Sequence, residues 1–316
     1  MQPKTQPKPK TQRKTRVWIK RFVFAGATAV LLFLLVVLPV GGSFLITNGR
    51  FRFPETSGTL PLGVEEVGFA SSDGIRLSGW WSAPEGETRG MVVFVHGLNR
   101  SRMEMLSRAV AVHELGFATL LFDLRNHGQS GEAYTTLGVY ESRDVCAAAR
   151  FARSKSPGPP LVLWGVSMGA SSALLGARCA EADAVVSDSS FLSFSETVRH
   201  HFGQIFGLPA FPVADLLILV TRLRMGFSLR DGDVEAAVGD LADVPVLFVA
   251  GGDDWRMPPD LAGSLREASA HPQSRMIVIE GATHGHAFEQ DPDGYLGAVT
   301  AFFEDVLPPA APDTVP

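Results

Sequence analysis

The stretch 161–171, LVLWGVSMGAS, decides the fold. Its first residues form a short apolar run, which is typical of a strand buried on both faces. Gly165-Val166-Ser167-Met168-Gly169 follows at once and leads into a helical pattern. A sharp strand-to-helix turn crowds the backbone on both sides, so glycine is needed at both flanks and the serine hydroxyl is pushed out at the carboxyl edge of the sheet. We therefore expect Ser167 to be a nucleophile, in preference to a structural serine in a tight turn.

The alternation of strand and helix continues on both sides of this turn. Strands are predicted at 64–69, 76–83, 91–95, 119–122, 161–164, 184–187, 246–250 and 276–279, and helices near 101–115, 136–154, 168–180, 258–270 and 293–306. This order predicts an α/β fold, with a mostly parallel central sheet flanked by helices, over residues 60–308. Residues 191–240 interrupt the rhythm and include the largely apolar stretch 211–220, so we expect a helical lid insertion there. Residues 309–316 read as a proline-rich tail.

A serine needs a base that is itself oriented by an acid before it can act as a nucleophile. Asp253 and Asp254 come just after the strand at 246–250, and His284 and His286 come after the strand at 276–279. The order serine, acid, histidine is the order expected for this type of sheet. Asp188, which follows the strand at 184–187, is an alternative acid.

Several further segments resemble the α/β-hydrolase superfamily over residues 64–306, near its esterase/lipase-like or serine-aminopeptidase-like branch with N-terminal membrane anchors. The segments are His96-Gly97, Asp123-Leu124-Arg125-Asn126-His127-Gly128-Gln129-Ser130, the turn at Ser167, Gly251 to Pro258, and Gly281-Ala282-Thr283-His284. The resemblance selects Asp254 over Asp253 and His284 over His286. The chain departs from the family pattern at Asn126, Ala250 and Met257, where glycine, histidine and valine are usual.

The resemblance implies a serine hydrolase that cleaves carboxylic esters through an acyl-enzyme, with the triad Ser167, Asp254 and His284. An oxyanion hole is expected from the backbone N–H groups of Leu98 and Met168. His96 is expected to brace the loop that carries Leu98, in preference to transferring protons. A peptidase or an acyltransferase would carry the same triad, and an inactive membrane-tethered binding module is the alternative from another class. No metal, nucleotide or organic cofactor is implied, and the substrate is expected to be a small-molecule or lipid-like ester.

The N-terminus predicts a membrane anchor. Residues 1–21 hold eight Lys/Arg and no acid and are expected to form a disordered basic tail. Residues 22–47 carry no charge and are long enough for a helix to cross a ~30 Å hydrocarbon core. A buried core helix and a cleaved signal peptide ending near Ser43 are the alternatives. The charge bias places the N-terminus in the cytoplasm and the hydrolase domain on the extracytoplasmic side.

The composition of the rest of the chain bears on its possible binding partners and on its cysteines. Outside the first 21 residues the chain has 20 basic and 33 acidic residues, so a nucleic-acid partner is disfavoured. Two cysteines, Cys146 and Cys179, are too few for a disulfide framework and are expected to be buried, unpaired thiols.

Overall fold

The computed structural model describes residues 10–49 and 62–308. In these ranges eight strands form one sheet in the order β1-β2-β4-β3-β5-β6-β7-β8. Strand β2 pairs antiparallel with both of its neighbours, and every pair from β4 to β8 is parallel. The strands are Glu65–Ala70, Arg76–Ser82, Gly90–Val95, Phe117–Asp123, Leu161–Val166, Ala184–Asp188, Val246–Gly251 and Arg275–Ile279. The predicted fold class, with its mostly parallel sheet, is confirmed.

Eleven α-helices lie in the described part of the chain. In chain order, α1 to α11 are Lys10–Leu32, Leu38–Asn48, Leu106–Glu114, Glu141–Lys155, Met168–Gly176, Phe194–Phe206, Val213–Met225, Val234–Gly239, Pro259–Ala268, Ala287–Gln290 and Pro292–Val306. The predicted helices near 101–115, 136–154, 168–180, 258–270 and 293–306 correspond to α3, α4, α5, α9 and α11.

The sheet is buried on both faces because its central strands are apolar throughout. Side chains alternate between the two faces of a strand. Along β3, Met91, Val93 and Val95 pack into one hydrophobic cluster with residues of α4, α5, α8 and α9. Val92 and Phe94 pack into the other cluster, with residues of α3 and α11. The loops that follow the strands therefore lie at the edge of a core of three layers, with the sheet between two layers of helices.

The N-terminal helix is longer than the sequence predicts. Helix α1 begins at Lys10, so the expectation of a disordered tail is wrong for residues 10–21, and residues 1–9 lie outside the described residues. The basic segment after Pro9 contains Lys, Gln and Arg, which are good helix formers, and it extends a helix that the apolar run already nucleates.

Pro39 does not end this helix. A π-helical turn, Phe33–Val37, joins α1 to α2 just before the proline, and α2 continues to Asn48. Such a turn accommodates the missing proline N–H and its ring. Val17–Asn48 is the one stretch of the described chain that is long and apolar enough, by length and composition, to cross a membrane.

The insertion after β6 is helical but shorter than predicted. It contains α6 and α7, and a bridge between Ser193 and Asp233 closes its base. The following helix, α8, packs on α5 and α9 as a normal layer of the fold. The boundary is therefore near residue 233 instead of 240, and we call residues 194–225 the lid. The predicted tail at 309–316 lies outside the described residues.

Candidate active site

Ser167 lies in the sharp turn that its flanking glycines predict. It has φ 54° and ψ −121°, a positive φ that non-glycine residues adopt only when the surrounding structure enforces it. A Cβ at Gly165 would lie 2.4 Å from the backbone of Gly169, and one at Gly169 would lie 2.1 Å from the carbonyl oxygen of Val95. Side chains at the two flanks would clash with backbone atoms, so glycine is required there.

The structure brings Ser167, His284 and Asp254 into one hydrogen-bonded chain. His284 Nε2 lies 2.8 Å from Ser167 Oγ, and His284 Nδ1 lies 2.7 Å from Asp254 Oδ2. The three residues come from the loops after β5, β7 and β8, which end at the same edge of the sheet. A base in contact with both a hydroxyl and a carboxylate is the arrangement that activates a serine.

Backbone contacts distinguish Asp254 from its neighbour Asp253. The second oxygen of Asp254, Oδ1, accepts hydrogen bonds from the N–H groups of Arg256 and Met257, both at 2.9 Å. Asp254 is buried, whereas Asp253 is exposed. The Asp253 N–H donates to the carbonyl oxygen of Ala282 at 2.9 Å, which joins the acid loop to the histidine loop.

Asp188 is buried in a different network. Its carboxylate accepts hydrogen bonds from the Tyr295 hydroxyl at 3.0 Å and from Ser189 Oγ at 2.9 Å, and it lies 3.8 Å from Arg108 Nη2. Burial and the charge of Asp188 raise the pKa of Tyr295 well above 10.0, so the phenol remains a hydrogen-bond donor. Asp188 therefore has partners other than His284.

Arg108 extends this network to the histidine loop. It donates to the carbonyl oxygen of Gly285, the residue after His284, at 3.4 Å and to Glu289 at 3.1 Å. The N–H of Gly285 in turn donates to Ser189 Oγ at 3.3 Å. Sequence reasoning missed Arg108 and Tyr295, because both lie in helices far along the chain from the strand ends that they support.

The loop 96–99 passes directly beside the serine. A Cβ at Gly97 would lie 3.6 Å from Ser167 Cβ, which puts Leu98 close to the candidate nucleophile. The N–H of Gly97 donates to Glu104 Oε2 at 2.6 Å, and burial raises the pKa of Glu104. Met168 is the first residue of α5, where N–H groups have no partner within the helix. Glu104 was not singled out from the sequence.

His96 braces this loop from below. It is fully buried, its Nε2 accepts a hydrogen bond from the N–H of Leu124 at 3.0 Å, and its Nδ1 lies 2.8 Å from the carbonyl oxygen of Gly97. Burial lowers the pKa of His96 to about 3, so the ring is neutral and can accept one hydrogen bond while donating the other. The expectation that His96 has a bracing role agrees with these contacts.

Asp123 and Arg125, in the segment at and after the end of β4, hold loops in place. Asp123 Oδ1 accepts from the N–H of Arg102 at 2.8 Å. Arg125 forms a buried ion pair with Asp144 at 2.7 Å and a second pair with Asp73 at 2.7 Å. These contacts connect the hairpin of β1 and β2 to the layer of α4.

Helix α6 of the lid reaches the candidate site. Gln204 Nε2 donates to the carbonyl oxygen of Trp255, the residue after Asp254, at 3.3 Å. Burial lowers the pKa of His201, and the nearby charge of Arg256 acts in the same direction. A cavity of about 290 Å³ lies between the lid and the acid loop, lined by residues that include Leu192, Thr197, His200, Met257 and Leu261.

The prediction of two buried, unpaired thiols is wrong. Cys146 on α4 and Cys179, three residues beyond α5, form a disulfide with a Cα–Cα distance of 5.6 Å. Cys179 is exposed and only Cys146 is buried. Each residue lies in or next to a helical pattern, and the sequence does not show that α4 and α5 pack side by side. In residues 10–49 and 62–308 no group of three or more His, Cys, Asp or Glu could hold a metal ion.

A family model described as "Alpha/beta hydrolase family" matches residues 92–298, which include Ser167, Asp254 and His284. The chain belongs to the alpha/beta hydrolase family. Among its relatives, the hydrolase is 28% identical over 249 residues to the uncharacterized protein YqkD of Bacillus subtilis, covering 77% of this chain and 81% of that protein. It is 30% identical over 257 residues to the uncharacterized protein Rv2307c of Mycobacterium tuberculosis, covering 80% and 83%.

Solved structures similar to this hydrolase include an esterase. The Pyrococcus furiosus esterase Pf2001 aligns with a TM-score of 0.65 and 21% identity, over 82% of this chain and 99% of that one. Est1E from Butyrivibrio proteoclasticus, solved with ferulic acid bound, aligns with a TM-score of 0.60 and 19% identity, over 75% and 98%. At these identities the likeness shows the fold. The family and these neighbours together support hydrolase activity.

Proposed function

We propose that this hydrolase is a membrane-anchored serine esterase that cleaves carboxylic esters through an acyl-enzyme on Ser167. The observation that carries the proposal is the hydrogen-bonded chain from Ser167 Oγ through His284 to Asp254. A buried carboxylate on the far nitrogen of the imidazole holds the tautomer that can accept the serine proton. The Pyrococcus furiosus esterase among the similar structures supports an ester substrate over an amide.

Each half of the reaction uses the same three side chains. Ser167 Oγ attacks the acyl carbon while His284 Nε2 takes its proton, and Asp254 stabilises the imidazolium that forms. The negative oxygen of the tetrahedral intermediate accepts hydrogen bonds from the backbone N–H groups of Leu98 and Met168. The C–O bond to the leaving alcohol breaks as His284 protonates that oxygen. Water, deprotonated by His284, then attacks the acyl-enzyme and releases the carboxylic acid and the free serine.

A fluorophosphonate probe and a panel of esters test this proposal. The probe should label wild-type protein at Ser167 and should not label Ser167→Ala, because the alanine variant has no oxygen to phosphonylate. Loss of the serine should lower ester turnover by about 10⁴-fold or more. Product analysis with an added alcohol separates hydrolysis from acyl transfer, and a peptide panel examines amide cleavage. Undiminished ester hydrolysis by Ser167→Ala would exclude the mechanism.

The membrane anchor is part of the same proposal. Its support is the apolar helix Val17–Asn48 and the eight basic residues that precede residue 22. The charge bias favours a cytoplasmic N-terminus and a hydrolase domain on the extracytoplasmic side. The disulfide between Cys146 and Cys179 agrees with that side, since disulfides persist in oxidising compartments.

Fractionation tests the anchor and its orientation. The full chain should stay in the membrane fraction after an alkaline carbonate wash, and protease added outside intact spheroplasts should digest the hydrolase domain. A soluble chain beginning near Ser43 would establish a cleaved signal peptide instead. Protection of the domain from external protease would reverse the proposed orientation.

A further inference from the structure

The lid packs along the C-terminal part of the anchor helix. Successive turns of α7 contact successive turns of the anchor. Near the start of α7, Val213 and Ala214 cluster with Leu34 and Leu38 of the anchor. One turn further along, Leu217 meets Gly42, where a Cβ would lie 3.1 Å from the leucine side chain. Helices α2 and α7 therefore run side by side in the same direction.

The upper end of this contact is polar. Arg224, near the end of α7, donates hydrogen bonds to Ser43 Oγ, to Thr47 Oγ1 at 2.9 Å and to Asn48 Oδ1 at 3.2 Å. Its guanidinium also lies over the ring of Phe44 at 3.7 Å from the centroid. The contact thus changes from apolar at the start of α7 to charged at its end, in the direction that leads out of a membrane.

The charge pattern of the anchor indicates how deep in a membrane these contacts would lie. A ~30 Å hydrocarbon core takes about 20 helical residues at ~1.5 Å per residue. Counted from Phe22, the first residue after the last basic side chain, the core ends near Gly41. On that scale Leu38 lies ~5 Å and Leu34 ~10 Å inside the outer boundary. The lid residues that pack against them have the same depth.

The connection between α6 and α7 has an apolar surface, as a segment inside the hydrocarbon core requires. Residues 202–214, FGQIFGLPAFPVA, contain no charged side chain. Four large apolar side chains are left exposed there: Ile205 at 71%, Phe206 at 50%, Leu208 at 53% and Phe211 at 78%. A contiguous apolar patch of this kind on a soluble surface marks a site of contact with another apolar phase. We call residues 205–211 the lid tip.

We infer that the lid tip is immersed in the acyl-chain region of the outer leaflet, and that the substrate is a membrane-resident lipid ester that enters from the bilayer. The inference rests on the proposed anchor. The tip is continuous with the anchor through Leu34 and Leu38, and it is joined to the site because Gln204 binds the carbonyl of Trp255, next to Asp254. Trp255 is exposed beside it, as is typical of aromatic residues at a membrane interface.

Site-specific fluorescence in bilayers tests the immersion. Because the two native cysteines are paired, Phe211→Cys in the full chain provides one free thiol for an environment-sensitive fluorophore. Leu223→Cys is the matched control, since Leu223 is 74% exposed against 78% for Phe211 and lies about 15 Å beyond Val213, the first residue of α7. The labelled proteins are reconstituted in phosphatidylcholine vesicles with or without lipids brominated near the middle of the acyl chain.

We expect the bromolipids to quench the label at position 211 at least twofold more than the label at position 223. Equal quenching at the two positions, in protein that resists a carbonate wash, would overturn the immersion and leave the anchor intact. Protein that washes off the vesicles would overturn both the anchor and the immersion. Loss of Ser167 labelling by fluorophosphonate is a separate readout and concerns the proposed chemistry alone.

A rate ratio tests the substrate class. For Phe211→Glu and Leu223→Glu we compare hydrolysis of a long-chain glycerol monoester embedded in vesicles with hydrolysis of soluble p-nitrophenyl acetate. The ratio of vesicle to soluble rate should fall at least fivefold for Phe211→Glu and less than twofold for Leu223→Glu. Equal ratios in the two variants would contradict entry of the substrate from the bilayer.

Discussion

Asp188 and Asp254 stand at the carboxyl ends of neighbouring strands, β6 and β7, and both carboxylates are buried. Asp254 faces His284 with one oxygen and two backbone N–H groups with the other. Asp188 faces Tyr295, Ser189 and Arg108. Residue type, burial and position at the sheet edge are therefore the same, and the partners alone differ. An acid that orients a histidine is identified by what it contacts.

The two networks still meet at the histidine loop. Asp254 contacts the imidazole of His284, and Arg108 and Ser189 contact the backbone of Gly285, the next residue. The first set of contacts acts on the ring that would move protons. The second set acts on the position of the loop that carries the ring. Substitutions at the two aspartates should accordingly separate an effect on chemistry from an effect on stability.

The largest effect is expected at Asp254. Asp254→Asn keeps the size of the side chain, but an amide on Nδ1 tends to hold the wrong tautomer of His284. The kcat for ester hydrolysis should fall by about 10³–10⁴-fold, with an unchanged thermal unfolding midpoint. Steady-state kinetics and a thermal melt of each variant measure the two quantities.

The matched control for Asp254 is its neighbour. Asp253 is exposed, and its described contact to the histidine loop is made by the backbone N–H, which Asp253→Asn keeps. This variant should change kcat by roughly tenfold or less, as expected for a group outside the proton-transfer chain. If Asp253→Asn lost most of its activity and Asp254→Asn were nearly normal, the acid would be Asp253 and the assignment to Asp254 would be wrong.

The strands and the residues of the candidate triad could be proposed from the sequence because their signals are local. Short apolar runs mark β3 to β7, and glycine spacing around Ser167 and after β7 marks loops whose function depends on their position at a strand end. Sheet topology then brings Ser167, Asp254 and His284 to one edge. The order of the strands brings the three loops together, whereas the choice of Asp254 over Asp253 and of His284 over His286 came from the resemblance to the family.

The contacts that could not be predicted join segments far apart in the chain. Arg224 binds Thr47 across 177 residues, and Arg108 binds Glu289 across 181. Asn126, a departure from the family pattern, donates to the carbonyl oxygen of Gly49 at 2.8 Å, just after helix α2. The periodicity and spacing of the sequence do not indicate such pairs, since each pair depends on how the lid, the N-terminal helix and the loops pack.

Compared with Asp254→Asn, the variant Asp188→Asn is expected to lower activity less and stability more. Asp188→Asn removes the charge beside buried Arg108, whose other carboxylate partner, Glu289, is half exposed. An under-compensated buried charge costs about 3 kcal/mol, which corresponds to a fall of roughly 6–12 °C in the unfolding midpoint. The kcat of the folded variant should fall by roughly tenfold or less. A loss of 10³-fold in kcat with an unchanged melt would move the acid to β6 and reverse the comparison.

The last prediction concerns the buried histidine His96, and here the expected effect depends on pH. The pKa of His96 is about 3 in the folded protein and near 6.5 in an unfolded chain, so between these values the unfolded state binds a proton that the folded state does not. The stability contributed by neutral His96 is therefore complete above pH 6.5 and is lost as the pH falls towards 3, at up to ~1.4 kcal/mol per pH unit. His96→Gln keeps a hydrogen-bonding side chain and cannot titrate. Thermal midpoints at pH 7, 6 and 5 should fall by about 2–4 °C more between pH 6 and 5 for wild type than for His96→Gln. Parallel curves for the two proteins would mean that His96 is not held neutral and that the brace under the loop 96–99 tolerates its charge.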